Sequence, residues 1–326
     1  MRANTRDPNS ANPRFWFGQF DSRPVSVFRI TFCLVLLKVA LYHLPFTDIL
    51  YTDAGLYPRS LMLAVERSQR FSIMDFLGES WSVYLFWIVW IVVILLLLVG
   101  YRARLMSILS FIFLVSVHER NSYVLSGADV LMRVICFWMM FMPLAQYYSI
   151  DAVRRRWHRY RQTRQIADLR VEAQPRTTFA FPVRALQVQF SLVYFFSGLT
   201  KLTGAPWWSG DALYYALSLK TFALPLANWF VANVPYSLIQ LMNYIVVIFE
   251  TSWIFLVFLP VFQPAATVVA LVYLGMMHIG IGLMMSIPDF SIVMLSVYPL
   301  FFKASWLERI DRALRAKKER LSILQP

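Results

Sequence analysis

Ionisable side chains inside apolar segments are the residues of this sequence best suited to chemistry. Lys201 stands in the apolar run "FFSGLTK" and is followed at once by the turn-forming residues "LTGAPWWSGD". A lysine in an apolar pocket loses much of the stabilisation of its charged form, so its neutral amine becomes able to accept a proton. The alternative is a membrane anchor whose ammonium group extends to the bilayer surface. Both interpretations place Lys201 near one end of a membrane-spanning segment.

Glu250 and His278 are two further polar residues in apolar segments. Glu250 lies in the middle of "VVIFETSWIFLVF", where a carboxylate must bind a proton or meet a cation. It is therefore predicted either to anchor helix packing or to handle protons. His278, in "YLGMMHIGIGLMM", is flanked by glycines and methionines that allow another helix or a flat ligand to approach. No second histidine stands at a helical metal-binding spacing, so no metal site is predicted.

The remaining charges in apolar segments have structural interpretations. Asp129 and Arg133 are four residues apart, so they are expected to meet on one helix face and neutralise one another. Arg29 is expected to pair with a carboxylate such as Glu250. Lys38 is expected to extend along its helix toward the membrane surface.

The two cysteines carry no redox or disulfide signature. Cys33 and Cys136 both lie in apolar segments, and neither belongs to a CxxC motif. Structural disulfides and reactive thiols are recognised by such spacings or by polar surroundings. Both side chains are therefore predicted to be buried and unreactive.

The elements that must position these residues are membrane helices. Hydrophobic residues make up 59% of the 326 residues and charged residues only 15%, whereas soluble domains carry about 25% charged residues. The run "SVYLFWIVWIVVILLLLV" has no charge and is bordered by aromatic and basic residues. Its length is close to the roughly 20 residues that cross a bilayer. The chain is therefore predicted to be a polytopic membrane protein.

Eight membrane helices are predicted, which gives an all-α fold: a polytopic integral membrane bundle. The predicted spans are 25–45, 81–100, 104–118, 129–146, 184–203, 237–261, 265–286 and 288–303. The segment 204–236 is too polar in its first half to span, and its aromatic second half is expected to lie along the membrane surface. Three parts of the chain follow from this assignment: a polar segment 1–23, a transmembrane domain 24–303 and a basic amphipathic tail 304–326.

The excess positive charge, +13, is concentrated in segments beside the predicted spans. With eight spans, the loop "DAVRRRWHRYRQTRQIADLRVEAQPR", the tail and the N-terminus lie on one side, which the positive-inside rule makes cytoplasmic. Arginine clusters at these positions are expected to bind anionic lipid headgroups, and nothing in their pattern is typical of a nucleic-acid-binding module. A multi-pass protein of the plasma (inner) membrane, with both termini cytoplasmic, is predicted.

Four stretches resemble a known family in the order in which they occur. They are "VFRITF", "GYRARL" with "RNSYVLSGADVLMR", "FFSGLTKLTGAPWWSGDALYYAL", and "HIGIGLMMSIPDFSIVMLSVYPLFF". The chain resembles the HTTM (horizontally transferred transmembrane) family, and in particular the membrane domain of its best-known member, vitamin K-dependent γ-glutamyl carboxylase. The resemblance covers most of residues 24–303, and the third stretch is the most specific.

The resemblance implies a chemistry for particular residues. A lysine at the position of Lys201 deprotonates vitamin K hydroquinone in the carboxylase, and oxygen then converts the quinol to a strong base that allows carbon dioxide to add to glutamate. By the same resemblance, His278 hydrogen-bonds an intermediate or shuttles protons. Asn121 stands where the carboxylase has an important histidine. Contacts with the cofactor are predicted for four residues of the second and third stretches: Tyr123, Trp207, Trp208 and Gly210.

The sequence is compatible with two main functions. The first is a quinol-dependent epoxidase or a carboxylase-like lyase, with a reduced naphthoquinone as cofactor, O2 as substrate, CO2 in the carboxylase case and no metal. Protein glutamate carboxylation is not expected, for two reasons. Asn121 stands in place of a histidine, and the sequence ends at Pro326, where the carboxylase continues into a lumenal domain. The second is a non-enzymatic scaffold that binds lipid, assists export or confers immunity, with an unidentified protein partner. Transport is a third hypothesis, which the sequence favours less, because it contains no pair of short, broken helices of the kind found in inverted-repeat transporters.

Overall fold

Helices account for most of the structure. A computed structural model describes residues 13–65, 70–165, 177–260, 262–310 and 312–313. The helices are, in chain order, α1 (Pro13–Phe17), α2 (Ser22–His43), α3 (Thr47–Leu50), α4 (Arg59–Val65), α5 (Ser80–Leu98), α6 (Ala103–Arg120), α7 (Gly127–Met139), α8 (Ile150–Thr163), α9 (Phe181–Lys201), α10 (Ala205–Ser209), α11 (Ala212–Ser218), α12 (Pro225–Asn233), α13 (Tyr236–Phe258), α14 (Ala265–Met284) and α15 (Pro288–Val297).

Shorter elements connect these helices. Single 3-10 turns cover Leu44–Phe46, Ile73–Phe76, Ser122–Val124 and Tyr298–Phe301. Two strands of three residues, β1 (Gln19–Asp21) and β2 (Thr177–Phe179), pair with one another. The prediction of an all-α membrane bundle agrees with this composition. Most of the polar segment 1–23 and of the basic tail 304–326 lies outside the described residues.

Four helical segments of the described chain are long and apolar enough to cross a membrane. They are Ser22–Leu50, Ser80–Leu98, Tyr236–Phe258 and Ala265–Met284, and a fifth is added if Pro288–Phe301 and Ala304–Ile310, which meet at 93°, form one span. A helix lies at each of the eight predicted spans, but the count of eight is not confirmed. The fourth predicted span, 129–146, contains a helix of only 13 residues, shorter than the roughly 20 that a crossing needs.

Two other long helices, α6 and α9, are not apolar enough to count as candidate membrane spans, because they contain several polar residues. α6 ends in "SVHER", and α9 carries several polar residues besides Lys201. These side chains lower the mean hydropathy of helices whose length would suffice for a crossing. The segment 204–236, predicted not to span, forms the three short helices α10, α11 and α12.

The chain divides into two compact units. The first consists of Met1–Gly18 and Phe179–Tyr298, and the second of Gln19–Thr178 and Pro299–Pro326. In the first unit, α9 packs along α13, α13 along α14, and α14 along α15. In the second unit, α5 packs between α2 and α6, and α6 also packs against α7. Lys201, Glu250 and His278 all belong to the first unit.

Apolar side chains fill the core of the second unit. Phe28, Phe32, Trp87 and Trp90 are fully buried. The two cysteines, Cys33 and Cys136, are also buried and unpaired with one another, as predicted. Arg29 is fully buried among these residues, and its guanidinium group donates hydrogen bonds to the carbonyl oxygens of Leu144 and Tyr148. The expected pairing of Arg29 with Glu250 is therefore wrong, because two backbone carbonyls of the α7–α8 connection bind this cation.

The expected pairing of Asp129 with Arg133 is also wrong. Asp129 accepts hydrogen bonds from the backbone and side chain of Ser126, which makes it part of the cap at the start of α7. Its second oxygen lies 3.5 Å from Nε2 of His118. Arg133 instead contacts Glu119 over 2.8 Å. Asp129 and Arg133 are four residues apart on α7, but each binds another partner: Asp129 binds Ser126 and contacts His118, and Arg133 binds Glu119.

Candidate functional site

Lys201 is the last residue of α9, and its ammonium group contacts two side chains. Nζ donates to Oε2 of Glu250 over 2.5 Å and to Oγ of Ser197 over 2.7 Å. Glu250 lies in the middle of α13, where its side chain is 7% exposed, against 18% for Lys201. The two residues therefore form a largely buried ion pair. This contact accounts for the presence of each charge in an apolar segment, because each is costly there without a partner.

Gly198 lets α9 and α13 approach closely beside the ion pair. A Cβ atom at this position would lie 2.7 Å from the backbone nitrogen of Thr251 and 3.1 Å from the carbonyl carbon of Glu250. Gly198 is one residue after Ser197 and three before Lys201, so the close approach occurs where both lysine partners lie. Any larger side chain here would push the two helices apart and lengthen the Lys201–Glu250 contact.

A short turn covers the ammonium group from the other side. Lys201 Nζ lies 5.1 Å from the ring centroid of Trp207 on α10, within the range of a cation–π interaction. The carbonyl oxygen of Trp207 accepts a hydrogen bond of 3.0 Å from Nδ2 of Asn243, and Oδ1 of Asn243 accepts one of 3.2 Å from the backbone of Leu213. Asn243 on α13 thus fixes both α10 and α11 over the site.

Trp208 and Gly210 hold the same turn in place. The indole nitrogen of Trp208 donates to the carbonyl oxygen of Leu202, while its own carbonyl oxygen accepts a hydrogen bond of 2.9 Å from Tyr244. Gly210 adopts a φ of 86°, a conformation that favours glycine. A Cβ atom there would also lie 3.0 Å from the hydroxyl oxygen of Tyr244. In this structure Trp208 and Gly210 shape the turn, and Trp207 contacts Lys201.

Asp211 completes the attachment of the turn to α13. Its carboxylate accepts hydrogen bonds from the hydroxyl groups of Ser209 and Tyr236, and these bonds lower its pKa. Gln240 donates to the carbonyl oxygen of Ser209 over 3.1 Å. Four residues along one face of α13, namely Tyr236, Gln240, Asn243 and Tyr244, therefore bind the turn that follows Lys201.

His278 belongs to a buried polar network deeper in the same unit. It is fully buried, and its Nε2 lies 2.7 Å from the hydroxyl oxygen of Tyr194. That hydroxyl oxygen is also 3.2 Å from the hydroxyl of Tyr298. Nδ1 of His278 has no hydrogen-bond partner among the described residues. Tyr194 and Lys201 are seven residues apart on α9, so they share a helix face, and Glu250 is close enough to Tyr194 for an electrostatic interaction.

We expect Tyr194→Phe to destabilise the protein by about 1–3 kcal/mol, because it removes a buried hydrogen-bond partner of His278. The matched control is Tyr215→Phe, since Tyr215 is 54% exposed and surface changes usually stay within about 0.5 kcal/mol. Thermal unfolding of both variants in the same detergent measures the difference. Equal melting temperatures for the two variants would contradict the assigned role of Tyr194.

An apolar pocket lies among four helices of the same unit. Its volume is about 370 Å³, and its walls come from α11, α12, α13 and α14. The lining includes Leu217, Phe230, Met242, Tyr273, Met276 and Met284. Tyr273 also stacks on Phe249, with ring centroids 3.8 Å apart, next to Glu250 in the sequence of α13. Such a pocket suits the hydrocarbon part of a lipid-soluble molecule.

Asn121 and Tyr123 belong to the second unit, where their contacts are structural. The amide nitrogen of Asn121 donates to the carbonyl oxygen of Leu50 over 3.0 Å, and its amide oxygen accepts from the backbone nitrogen of Tyr123 over 3.2 Å. Asn121 is buried, whereas Tyr123 is 72% exposed and packs edge-on against Tyr57. Both polar ends of Asn121 are therefore used to fix the 3-10 turn that follows α6.

The sequence does not predict several residues of the site, among them Tyr194 and Ser197, and it predicts a different cation as the partner of Glu250. The signal was nevertheless present, because Ser191, Tyr194, Ser197 and Lys201 recur at intervals of three and four residues in an otherwise apolar helix. Polar residues at that spacing lie on one face of a helix and indicate a polar interface with a neighbouring helix.

The described residues define a helical membrane protein with a buried lysine–glutamate pair between two of its helices. The family model of the HTTM domain matches residues 17–306, so the chain belongs to the HTTM domain family. No curated protein and no solved structure is significantly similar to it. The match includes every candidate residue named above, and it confirms the family resemblance of the four sequence stretches. Within the described chain, no group of three or more His, Cys, Asp or Glu residues is arranged to hold a metal ion.

Proposed function

We propose that this HTTM-family protein is a membrane-embedded enzyme that oxidises a reduced naphthoquinone with O2, as a quinol-dependent epoxidase. The observation that carries the proposal is the buried pair of Lys201 and Glu250 beside Trp207. A charged pair within apolar helices is costly, and such pairs mark sites of proton or ligand handling. A packing role alone does not require an amine beneath an aromatic ring at the end of a helix.

The described residues include a candidate base and an aromatic surface for a quinol. A base at Lys201 must first give up the proton of its ammonium group, and Oε2 of Glu250, 2.5 Å away, is placed to receive that proton. Trp207 provides an aromatic face for a flat ring. His278 and Tyr194 form a second hydrogen-bonded pair in the same unit. The quinol, when bound, supplies the oxidisable ring and the electrons for O2.

The apolar pocket supports a substrate that arrives from the lipid phase. It is lined almost entirely by hydrocarbon and thioether side chains, and Met276 at its edge is 60% exposed. Methionine side chains adapt to irregular apolar ligands. A naphthoquinone with a hydrocarbon tail combines an apolar chain for this pocket with a ring that carries two polar oxygens.

The proposal predicts that the purified protein, reconstituted in lipid nanodiscs with reduced phylloquinone and O2, forms one quinone epoxide and one water per quinol oxidised. Because a positioned base contributes about 10²–10⁴-fold to a rate, Lys201→Ala should lower epoxide formation by about that factor. Mass spectrometry of the extracted quinones measures the product. Lys220→Ala is the matched control, because Lys220 is an exposed lysine on the connection between α11 and α12.

Two results would contradict the proposal. If the well-folded, unaltered protein forms no epoxide, the proposed enzymatic function is wrong. If Lys201→Ala forms epoxide at an unchanged rate, Lys201 is not the base.

A non-enzymatic scaffold is the second candidate function, and one observation favours it. The turn that contains Trp207 and Trp208 is fixed to α13 by hydrogen bonds, so the polar residues around Lys201 also have a structural role. In that case Lys201 and Glu250 stabilise the packing of α9 on α13, and lipid or a partner protein binds the exposed part of the turn, where Trp208 is 66% exposed.

A further inference from the structure

The start of α8 is fixed at the end of a membrane-spanning helix. α5 ends at Leu98, and the backbone nitrogens of Ile150 and Asp151 donate to the carbonyl oxygens of Val99 and Gly100 over 2.9 and 3.1 Å. The carboxylate of Asp151 in turn accepts from the backbone nitrogens of Arg102 and Ala103. The first turn of α8 therefore lies at the level where the spanning helix leaves the hydrocarbon.

α8 presents an apolar stripe that is about half exposed. Ile150, Val153 and Trp157 follow one another at intervals of three and four residues, so they share one face of the helix. They are 42%, 54% and 48% exposed, and none of the residues of α8 is buried. A row of three large apolar side chains beside a membrane boundary matches the apolar face of a helix that lies in the interface.

The charge of α8 is strongly positive. The helix contains five arginines and a single acidic residue, Asp151, whose carboxylate caps the start of α6. Arg154 and Arg161 each stand four residues after an apolar residue of the stripe, which places their guanidinium groups along its edge. Arg154 also stacks over Tyr101, an aromatic residue in the turn between α5 and α6, with its guanidinium carbon 5.3 Å from the ring centroid.

We propose that α8 lies in the plane of the bilayer surface and binds anionic phospholipid, with Ile150, Val153 and Trp157 among the upper acyl chains and Arg154 and Arg161 on the lipid phosphates. Three observations indicate this ligand: the position of the helix at the end of a spanning helix, its exposed apolar face, and the arginines that border that face. Guanidinium groups bind phosphate in a bidentate manner, and each basic residue near an anionic surface contributes about 1 kcal/mol. This lipid site is independent of the quinol chemistry assigned to Lys201.

The orientation of α8 is tested by spin labels on its two faces. Val153→Cys and Gln162→Cys introduce labelling positions nine residues apart, on faces about 180° apart at about 100° per residue. The native Cys33 and Cys136 are buried, and the unsubstituted protein is the labelling control. In nanodiscs with phosphatidylglycerol, the label at 153 should be accessible to oxygen dissolved in the bilayer, and the label at 162 to a water-soluble relaxation agent. Equal accessibility at the two positions would overturn the proposal.

The lipid preference is tested by native mass spectrometry of the full chain released from mixed phosphatidylglycerol and phosphatidylcholine membranes. Arg154→Gln with Arg161→Gln should reduce retained phosphatidylglycerol several-fold, and Lys220→Gln, a change on an exposed segment of the other unit, should leave it unchanged. If the double variant, with an unaltered melting temperature, retains as much phosphatidylglycerol as the parent protein, α8 is not the anionic lipid site. Equal retention of phosphatidylcholine and phosphatidylglycerol by the parent protein leads to the same conclusion.

Discussion

Lys201→Met alone and Glu250→Gln alone should each destabilise the protein by about 3–5 kcal/mol, because each leaves one charge buried without its partner. The double variant Lys201→Met/Glu250→Gln removes both charges and should recover most of this loss. Replacement of a buried ion pair by neutral side chains of similar volume is often neutral for stability. Thermal unfolding of the four proteins in one detergent provides the double-mutant cycle.

The same four proteins separate the two candidate functions. If Lys201 is a base, the double variant should recover most of its stability and still form quinone epoxide about 10²–10⁴-fold more slowly than the parent protein. If the protein is a scaffold, the double variant should keep its binding of lipid or partner, because only helix packing depends on the pair. Additive losses of stability in the double variant would show that Lys201 and Glu250 are not coupled, which contradicts the ion pair itself.

Gly198→Ala should destabilise the protein by about 1–3 kcal/mol, the usual cost of an extra methyl group in a tightly packed interface. The new Cβ would lie 2.7 Å from the backbone of Thr251, and a backbone atom cannot move away as a side chain can. Separation of α9 from α13 would also lengthen the Lys201–Glu250 contact. We therefore expect this small substitution, which touches no charged group, to reduce epoxide formation as well.

Gly280→Ala is the matched control on α14. Apart from the neighbouring backbone of α14 itself, no atom lies within 4 Å of a Cβ placed at this position, and alanine favours a helix over glycine by about 1 kcal/mol. The two substitutions add the same methyl group and should change the melting temperature in opposite directions. A loss of stability in Gly280→Ala equal to that in Gly198→Ala would show that the effect comes from the helices themselves and not from the α9–α13 interface.

Local sequence patterns predicted the helices well because their causes are local. Each of the eight apolar segments contains a helix, and the segment 204–236 forms short helices, since apolar runs and turn residues act over a few neighbours. The number of spans was harder to predict. α7 is shorter than its apolar segment, and the connection that follows it passes through Pro143, a residue that disrupts helical hydrogen bonding.

The choice of partners for buried charges was not predictable in the same way. Asp129 and Arg133 have a favourable spacing, yet the start of α7 and residues of α6 bind them instead. The sequence predicts a pairing of Arg29 with Glu250, but two backbone carbonyls of a non-helical connection bind Arg29 instead. An ionised group takes whichever partner the fold brings nearest, and such a partner can stand anywhere in the chain.

By itself the sequence determined that this is a helical membrane protein of the HTTM family, and that Lys201 before its Gly/Pro/Trp turn is the residue of greatest interest. Only the tertiary structure decided that Lys201 pairs with Glu250, 49 residues away, that Asn243 and Tyr244 fix the tryptophan turn above them, and that Tyr194 bonds His278. The reason is physical. A helix face or a span depends on neighbouring residues, whereas an ion pair between two helices depends on how closely they approach, and here Gly198 sets that distance.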